Sequence, residues 1–118
     1  MFWWVVLFAG LGLLMIILAV PMILGIVTPN SVYGFRTKRT LSDPEIWYPA
    51  NAYAGKWLLA WGVLMMAVAF LLPWLLPDLD EDSYAALFTV IMLGGLSVVV
   101  FMCWRYLKKY TESNQQHE

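Results

Sequence analysis

Residues 1–27, MFWWVVLFAGLGLLMIILAVPMILGIV, contain no charged side chain. A helix of that length is about 40 Å long at ~1.5 Å per residue, whereas about 20 residues suffice to cross the hydrocarbon layer. The segment has no basic residues at its start, and it is longer than the apolar part of a cleaved signal peptide. We therefore predict a retained transmembrane helix over about 3–27, with a bend or break at Pro21.

Two further apolar stretches predict spans over about 57–76, which has no charged side chain, and about 84–107, in which Arg105 falls in the last turn. Near the middle of the third span, the pair Gly94 and Gly95 either admits a neighbouring helix closely or weakens the helix locally. The whole chain has 62% hydrophobic and 13% charged residues, whereas a soluble domain carries about 25% charged residues. A water-soluble fold of this composition would expose large apolar patches. The sequence thus predicts a single all-α membrane domain with three transmembrane helices in a lipid bilayer.

The charges of the two connectors differ in sign. All seven Lys and Arg residues lie in the first connector or at the C-terminal end of the third span: Arg36, Lys38, Arg39, Lys56, Arg105, Lys108 and Lys109. The turn at 78–83 carries only carboxylates: Asp78, Asp80, Glu81 and Asp82. Because Lys and Arg mark cytoplasmic loops, we predict that the N-terminus and this acidic turn lie outside and the C-terminus inside. The turn is either a solvated turn or a surface that attracts a cationic peptide.

The first connector, residues 28–56, is too long for a simple turn between two spans. Either Ser42 or Asp43 can cap a helix, Pro44 suits a first turn, and Glu45 completes a Ser-x-x-Glu capping box. A helix is therefore expected to begin near Pro44.

The residues that follow have helical spacing. Trp47, Asn51 and Gly55 recur four positions apart and should share one face, while Pro49 should kink the segment. We predict a short amphipathic cytoplasmic helix at the membrane surface, leading after a bend into the second span. The Asn51 side chain would then meet headgroup water or serve as a buried hydrogen-bonding post.

The basic run around Arg36 also has two interpretations. It is a topology signal that attracts anionic lipid, or the planar guanidinium of Arg36 has a structural role. In the second case Arg36 would hold carbonyls at a helix end, or pair with Glu45 or Asn51.

The polar and aromatic residues of the connector form a recognisable motif. Asn30-x-x-Tyr33-Gly34-Phe35-Arg36-Thr37, then Thr40, then Trp47-x-x-x-Asn51 with Gly55, resembles the signature of the SdpI family of bacterial membrane proteins. The resemblance implies a place in the bacterial inner membrane and a role in immunity against a secreted peptide toxin or in signalling to a cytoplasmic regulator. The best-known member of that family has further spans before the shared segment. The candidate motif and partner-binding residues are Asn30, Tyr33, Gly34, Arg36, Thr37, Lys38, Arg39, Glu45, Trp47 and Asn51.

Other classes of function find less support in the sequence. Cys103 and His117 are the only cysteine and histidine; Cys103 lies in an apolar run and His117 in the polar tail. One cysteine and one histidine in such different places do not make a metal site. No catalytic residue, cofactor or nucleic-acid partner is expected either. A channel or transporter subunit would need a homo-oligomer, and no ionisable side chain lies in the middle of a span. An assembly partner in a larger membrane complex also remains open.

Overall fold

The computed structural model describes residues 1–30 and 32–116, with the backbone alone over residues 111–116; Ser31, His117 and Glu118 lie outside the described residues. Four helices follow one another: α1 (Phe2–Leu24), α2 (Lys38–Ser42), α3 (Pro44–Leu75) and α4 (Glu81–Gln116). The helices α1, α3 and α4 are long and apolar enough to cross a membrane. The prediction of an all-helical chain with three such helices is confirmed.

The first helix ends three residues before its predicted end. Gly25 adopts φ +72°, its N–H donates to the Met22 carbonyl (3.4 Å), and the Ile26 N–H donates to the Pro21 carbonyl (3.2 Å). This pair of bonds is a Schellman cap, which a left-handed glycine allows. Pro21 lies inside the last turn of α1 without ending it; the helix stops at the glycine instead.

The predicted separate surface helix is not present, because residues 44–56 are the first turns of α3. The helix does begin at Pro44, as predicted. Its cap is Asp43, whose Oδ1 accepts the Glu45 N–H at 2.9 Å, while the Ser42 hydroxyl donates to the Arg39 carbonyl. Of the two caps that the sequence left open, Asp43 is the one observed, and the Ser-x-x-Glu capping box does not form.

Tyrosines of α4 bond to α3 where prolines interrupt its hydrogen bonds. Proline has no N–H, so Pro49 and Pro73 leave the carbonyls of Glu45 and Ala69 without their helical donors. The Tyr110 hydroxyl donates to the Glu45 carbonyl (3.0 Å), and the Tyr84 hydroxyl donates to the Ala69 carbonyl (2.9 Å). With these carbonyls satisfied, α3 continues through both prolines.

Small residues bring α1 and α3 together. A Cβ on Gly62 would lie 2.9 Å from the Gly12 carbonyl oxygen, and a Cβ on Gly55 would lie 2.9 Å from the Ala19 oxygen. The glycine pair of α4 does not make such a backbone contact: Gly94 faces open space and Gly95 lies against the Trp61 ring. The close helix contact is thus between α1 and α3, as is typical of glycine-lined membrane helix pairs.

Two apolar clusters lie at opposite ends of the bundle. Near the acidic turn, Phe8 stacks on Phe88 with ring centroids 4.2 Å apart, beside the buried Tyr84. Near the connector, Met22 and Cys103 form a second buried cluster. Connector aromatics pack on this second cluster, so the connector is part of the folded core.

Candidate functional site

The turn after α1 is organised by the side chain of Asn30. Its Oδ1 accepts the backbone N–H groups of Val32 (2.8 Å) and Tyr33 (2.7 Å). Its Nδ2 donates to the carbonyls of Thr28 (2.8 Å) and Tyr33 (3.0 Å). An asparagine that replaces backbone partners in this way fixes the path of a turn.

Asn51 fixes the next part of the connector to α3. Its side chain is 1% exposed, its Oδ1 accepts the Phe35 N–H at 2.7 Å, and its Nδ2 donates to the Trp47 carbonyl at 2.9 Å. A longer contact of 3.4 Å joins Nδ2 to the Phe35 carbonyl. Of the two interpretations left open by the sequence, the buried hydrogen-bonding post is correct.

Trp47 and Gly34 complete this inner contact. Trp47 is fully buried, and its Nε1 donates to the Val27 carbonyl at 2.7 Å. Gly34 has φ +112° and leaves no room for a side chain, since a Cβ there would lie 2.6 Å from Asn51 Oδ1 and 3.3 Å from the Trp47 ring. A glycine is required here both by the backbone angle and by the space.

Arg36 and Tyr33 hold backbone carbonyls. The Arg36 Nε donates to the Asn30 carbonyl at 3.1 Å. Of the predicted structural roles, Arg36 therefore has that of holding a carbonyl, although this carbonyl lies in the turn and not at a helix end. Among the described residues, Arg36 forms no ion pair with Glu45. The Tyr33 hydroxyl donates to the Leu18 carbonyl in the last part of α1.

The short helix α2 was not predicted from the sequence. The Thr40 N–H donates to Thr37 Oγ1 (3.1 Å) and the Thr37 N–H donates to Thr40 Oγ1 (2.7 Å), which forms a reciprocal capping box. Thr40 is fully buried, whereas Lys38 and Arg39 are exposed. The Thr-x-x-Thr spacing was the signal for this helix.

The candidate residues therefore divide into an inner and an outer group. In the inner group, Tyr33, Gly34, Trp47 and Asn51 hold the connector against α1 and α3, and Asn30 and Thr37 shape the connector through bonds within it. The side chains of Arg36, Lys38, Arg39 and Glu45 are exposed. We call these four the polar surface.

Two of the four carboxylates of the acidic turn are engaged within the chain. Asp80 accepts hydrogen bonds from the hydroxyl and the backbone N–H of Ser83, and these lower the pKa of its carboxyl. The stabilisation is present above the ordinary carboxyl pKa and is lost as the pH falls through the lowered one. Glu81 pairs with the amino group of Met1. Asp78 and Asp82 are exposed.

Comparison with known proteins shows that the part of the chain containing this connector matches a known family. The sequence matches the family model described as the SdpI/YfhL protein family over residues 26–105, which is more than half of the chain. The "Uncharacterized protein YfhL" of Bacillus subtilis (strain 168) is 32% identical over 73 residues, which cover 62% of this chain and 58% of that relative. The match thus spans less than two thirds of the relative's length. No solved structure matches the chain.

Proposed function

The chain belongs to the SdpI/YfhL protein family, and from this premise we propose that it protects a bacterial cell against a secreted antimicrobial peptide. The observation that carries the proposal is the family match over residues 26–105, which includes the whole polar surface and its supporting residues. The name of the Bacillus subtilis relative states no activity. The immunity role therefore comes from the family resemblance of the connector motif.

We also propose an orientation in the inner membrane. All Lys and Arg residues lie in the first connector or near the end of α4, and the turn at 78–83 has none. By the positive-inside rule, the connector and the C-terminus face the cytoplasm, and the N-terminus and the acidic turn face outward.

This orientation limits which surfaces of the protein can contact a toxin that arrives from outside the cell. On the outer side all four carboxylates of the turn are exposed, and Glu81 is paired with the amino group of Met1. Three carboxylate charges without an ion-pair partner among the described residues attract a cation only weakly on a solvated turn, because water and salt screen the attraction. The lipid-facing sides of the helices offer far more surface, so the proposed contact with the toxin lies within the bilayer.

Deletion of the gene tests immunity directly. Cells that lack it should become sensitive to at least one secreted peptide from a panel, and the wild-type gene should restore resistance. The double variant Asp78→Asn/Asp82→Asn should also restore resistance if the contact lies within the bilayer, whereas its failure would move the contact to the turn. Unchanged sensitivity of the deletion strain to every peptide tested would contradict the immunity role.

A signalling role is the second candidate, because α2 presents two cations on a short, capped and anchored helix. The proposed partner is a cytoplasmic regulator with an acidic surface, held at the membrane by Lys38 and Arg39. Pull-down from solubilised membranes should recover such a regulator with the wild type and lose it with Lys38→Glu/Arg39→Glu.

The matched control for that experiment is Lys56→Glu/Lys108→Glu, which changes the net charge equally at exposed positions outside α2. It should keep the regulator. If both double variants keep it, or both lose it, the docking surface is not α2.

A further inference from the structure

An apolar groove lies between α3 and α4, and its lining includes no residue of α1. It has a volume of about 480 Å³, within the ~300–1,000 Å³ of small-molecule sites. Its walls are apolar and include Trp57, Trp61, Leu64, Gly94, Val98 and Met102. Gly94 leaves the floor of the groove open, since no atom lies within 4 Å of the place where its Cβ would be.

The end of the groove nearest the connector is polar and basic. A second cavity of about 290 Å³ lies there, lined by Tyr53, Tyr106, Arg105 and Lys109. Met102 lines both cavities, so they adjoin. The rings of Tyr53 and Tyr106 stack with centroids 4.1 Å apart, which fixes this end of α4 against α3. Arg105 and Lys109 are exposed and are one helical turn apart.

The length of the groove corresponds to one leaflet. Gly94 and Arg105 are separated by about 16 Å along α4 at ~1.5 Å per residue. Half of a hydrocarbon layer of about 30 Å is ~15 Å. A molecule whose charged end lies at Arg105 and whose chain follows the groove would therefore end near Gly94, at the middle of the bilayer.

We propose that this groove binds one anionic phospholipid from the leaflet in which the connector lies. The phosphate lies between Arg105 and Lys109, and one acyl chain follows the apolar walls toward Gly94. The positive charge of Arg105 and Lys109 favours an anionic lipid over a helix of a second copy as the occupant. A second copy would bring its own Arg105 and Lys109 to the same leaflet and add positive charge. The proposal does not depend on the immunity role.

Native mass spectrometry of the purified full chain in detergent tests the proposal. The probes are phosphatidylglycerol and phosphatidylcholine with identical acyl chains, added at equal concentrations. The wild type should retain phosphatidylglycerol on the order of tenfold more than phosphatidylcholine. Arg105→Gln/Lys109→Gln should lose this preference, and Gly94→Leu, which fills the groove, should retain neither lipid tightly.

Two control variants separate this site from general effects. Lys38→Gln/Arg39→Gln removes the same number of charges from α2, and Gly10→Leu adds the same side chain at another open glycine, on α1. Both should bind lipid as the wild type does. Size-exclusion profiles and helix content identical to those of the wild type establish that each variant is folded.

Three results would overturn the proposal. The first is equal retention of the two lipids by the wild type. The second is wild-type retention of phosphatidylglycerol by Gly94→Leu, because the acyl chain then does not use the groove. The third is release of phosphatidylglycerol from the wild type by millimolar inorganic phosphate, which would reduce the site to an anion-binding surface without a lipid chain.

Discussion

Gly34 and Asn51 meet where the connector crosses α3. Asn51 supplies the acceptor for the Phe35 N–H, and the absence of a side chain at Gly34 lets that backbone come close enough to bond. A buried amide side chain with several partners fixes one arrangement, because every alternative leaves a polar group unpaired. These inner residues therefore determine where the polar surface is held.

Alanine at Gly34 should be clearly more harmful than alanine at Gly25. Both glycines have positive φ, but a Cβ on Gly25 meets open space, whereas one on Gly34 meets Asn51 and Trp47. We expect Gly25→Ala to lower the free energy of unfolding by about 1 kcal/mol and Gly34→Ala by more than ~2 kcal/mol. Chemical denaturation in detergent micelles measures both, and equal losses would show that steric contact at Gly34 is unimportant.

Removal of the Asn51 amide should also destabilise the chain. Asn51→Ala leaves the buried Phe35 N–H without its acceptor, which costs about 1–3 kcal/mol. The same denaturation experiment applies, with the exposed Lys38→Ala as the control that should change little. A loss for Asn51→Ala no larger than for Lys38→Ala would contradict the role of Asn51 as a post.

The sequence predicted the shared face of Trp47, Asn51 and Gly55 because helical spacing is a local property. It did not identify the partners of these residues. Trp47 bonds to a carbonyl 20 positions away and Asn51 to an N–H 16 positions away, and such pairs depend on how the helices pack. For the same reason the sequence left the role of Arg36 open between a topology signal and a structural role.

Among the elements, α3 depends on α4 at each of its internal prolines. The hydroxyls of Tyr84 and Tyr110 replace the donors that Pro73 and Pro49 lack. The prediction of a separate surface helix came in part from proline's local preference. The replacement donor lies in another helix, 65 positions along the chain, so no local pattern could reveal it.

A double-mutant cycle tests this dependence. Tyr84→Phe should cost about 1 kcal/mol in the wild type, because the buried Ala69 carbonyl loses its donor. In a Pro73→Ala background the new N–H at position 73 can bond to that carbonyl, so the same change should cost less. Unfolding free energies of the four proteins give the coupling. Equal costs in the two backgrounds would mean that the hydroxyl does not substitute for the missing N–H.

Glycines at the α1–α3 contact should tolerate no added carbon. Gly62→Ala places a Cβ 2.9 Å from the Gly12 carbonyl oxygen, whereas Gly94→Ala faces open space. We expect Gly62→Ala to destabilise by about 1–3 kcal/mol and Gly94→Ala to be neutral or slightly stabilising. Thermal unfolding in the same detergent checks the pair, and equal stability of the two variants would place the close helix contact elsewhere.

At the scale of the whole molecule, the chain presents a largely apolar surface with polar ends. Many large apolar side chains of α1, α3 and α4 are exposed, which is the arrangement expected when lipid is the solvent. Composition and charge distribution predicted this much of the fold, because hydrophobic length and the separation of cations from carboxylates are visible without tertiary structure. Which helices pair closely was not visible, since Gly12 and Gly62 lie far apart in the sequence.

The proposed functions depend on an orientation in which the anchored connector faces the cytoplasm and the acidic turn faces outward. Single cysteines at Lys38 and Asp78, both exposed positions, are introduced in a Cys103→Ala background. A membrane-impermeant maleimide is then added to intact cells. We predict that Asp78→Cys is labelled at once and that Lys38→Cys is labelled only after permeabilisation. Labelling of Lys38→Cys in intact cells, with Asp78→Cys protected, would contradict the orientation and the functions proposed from it.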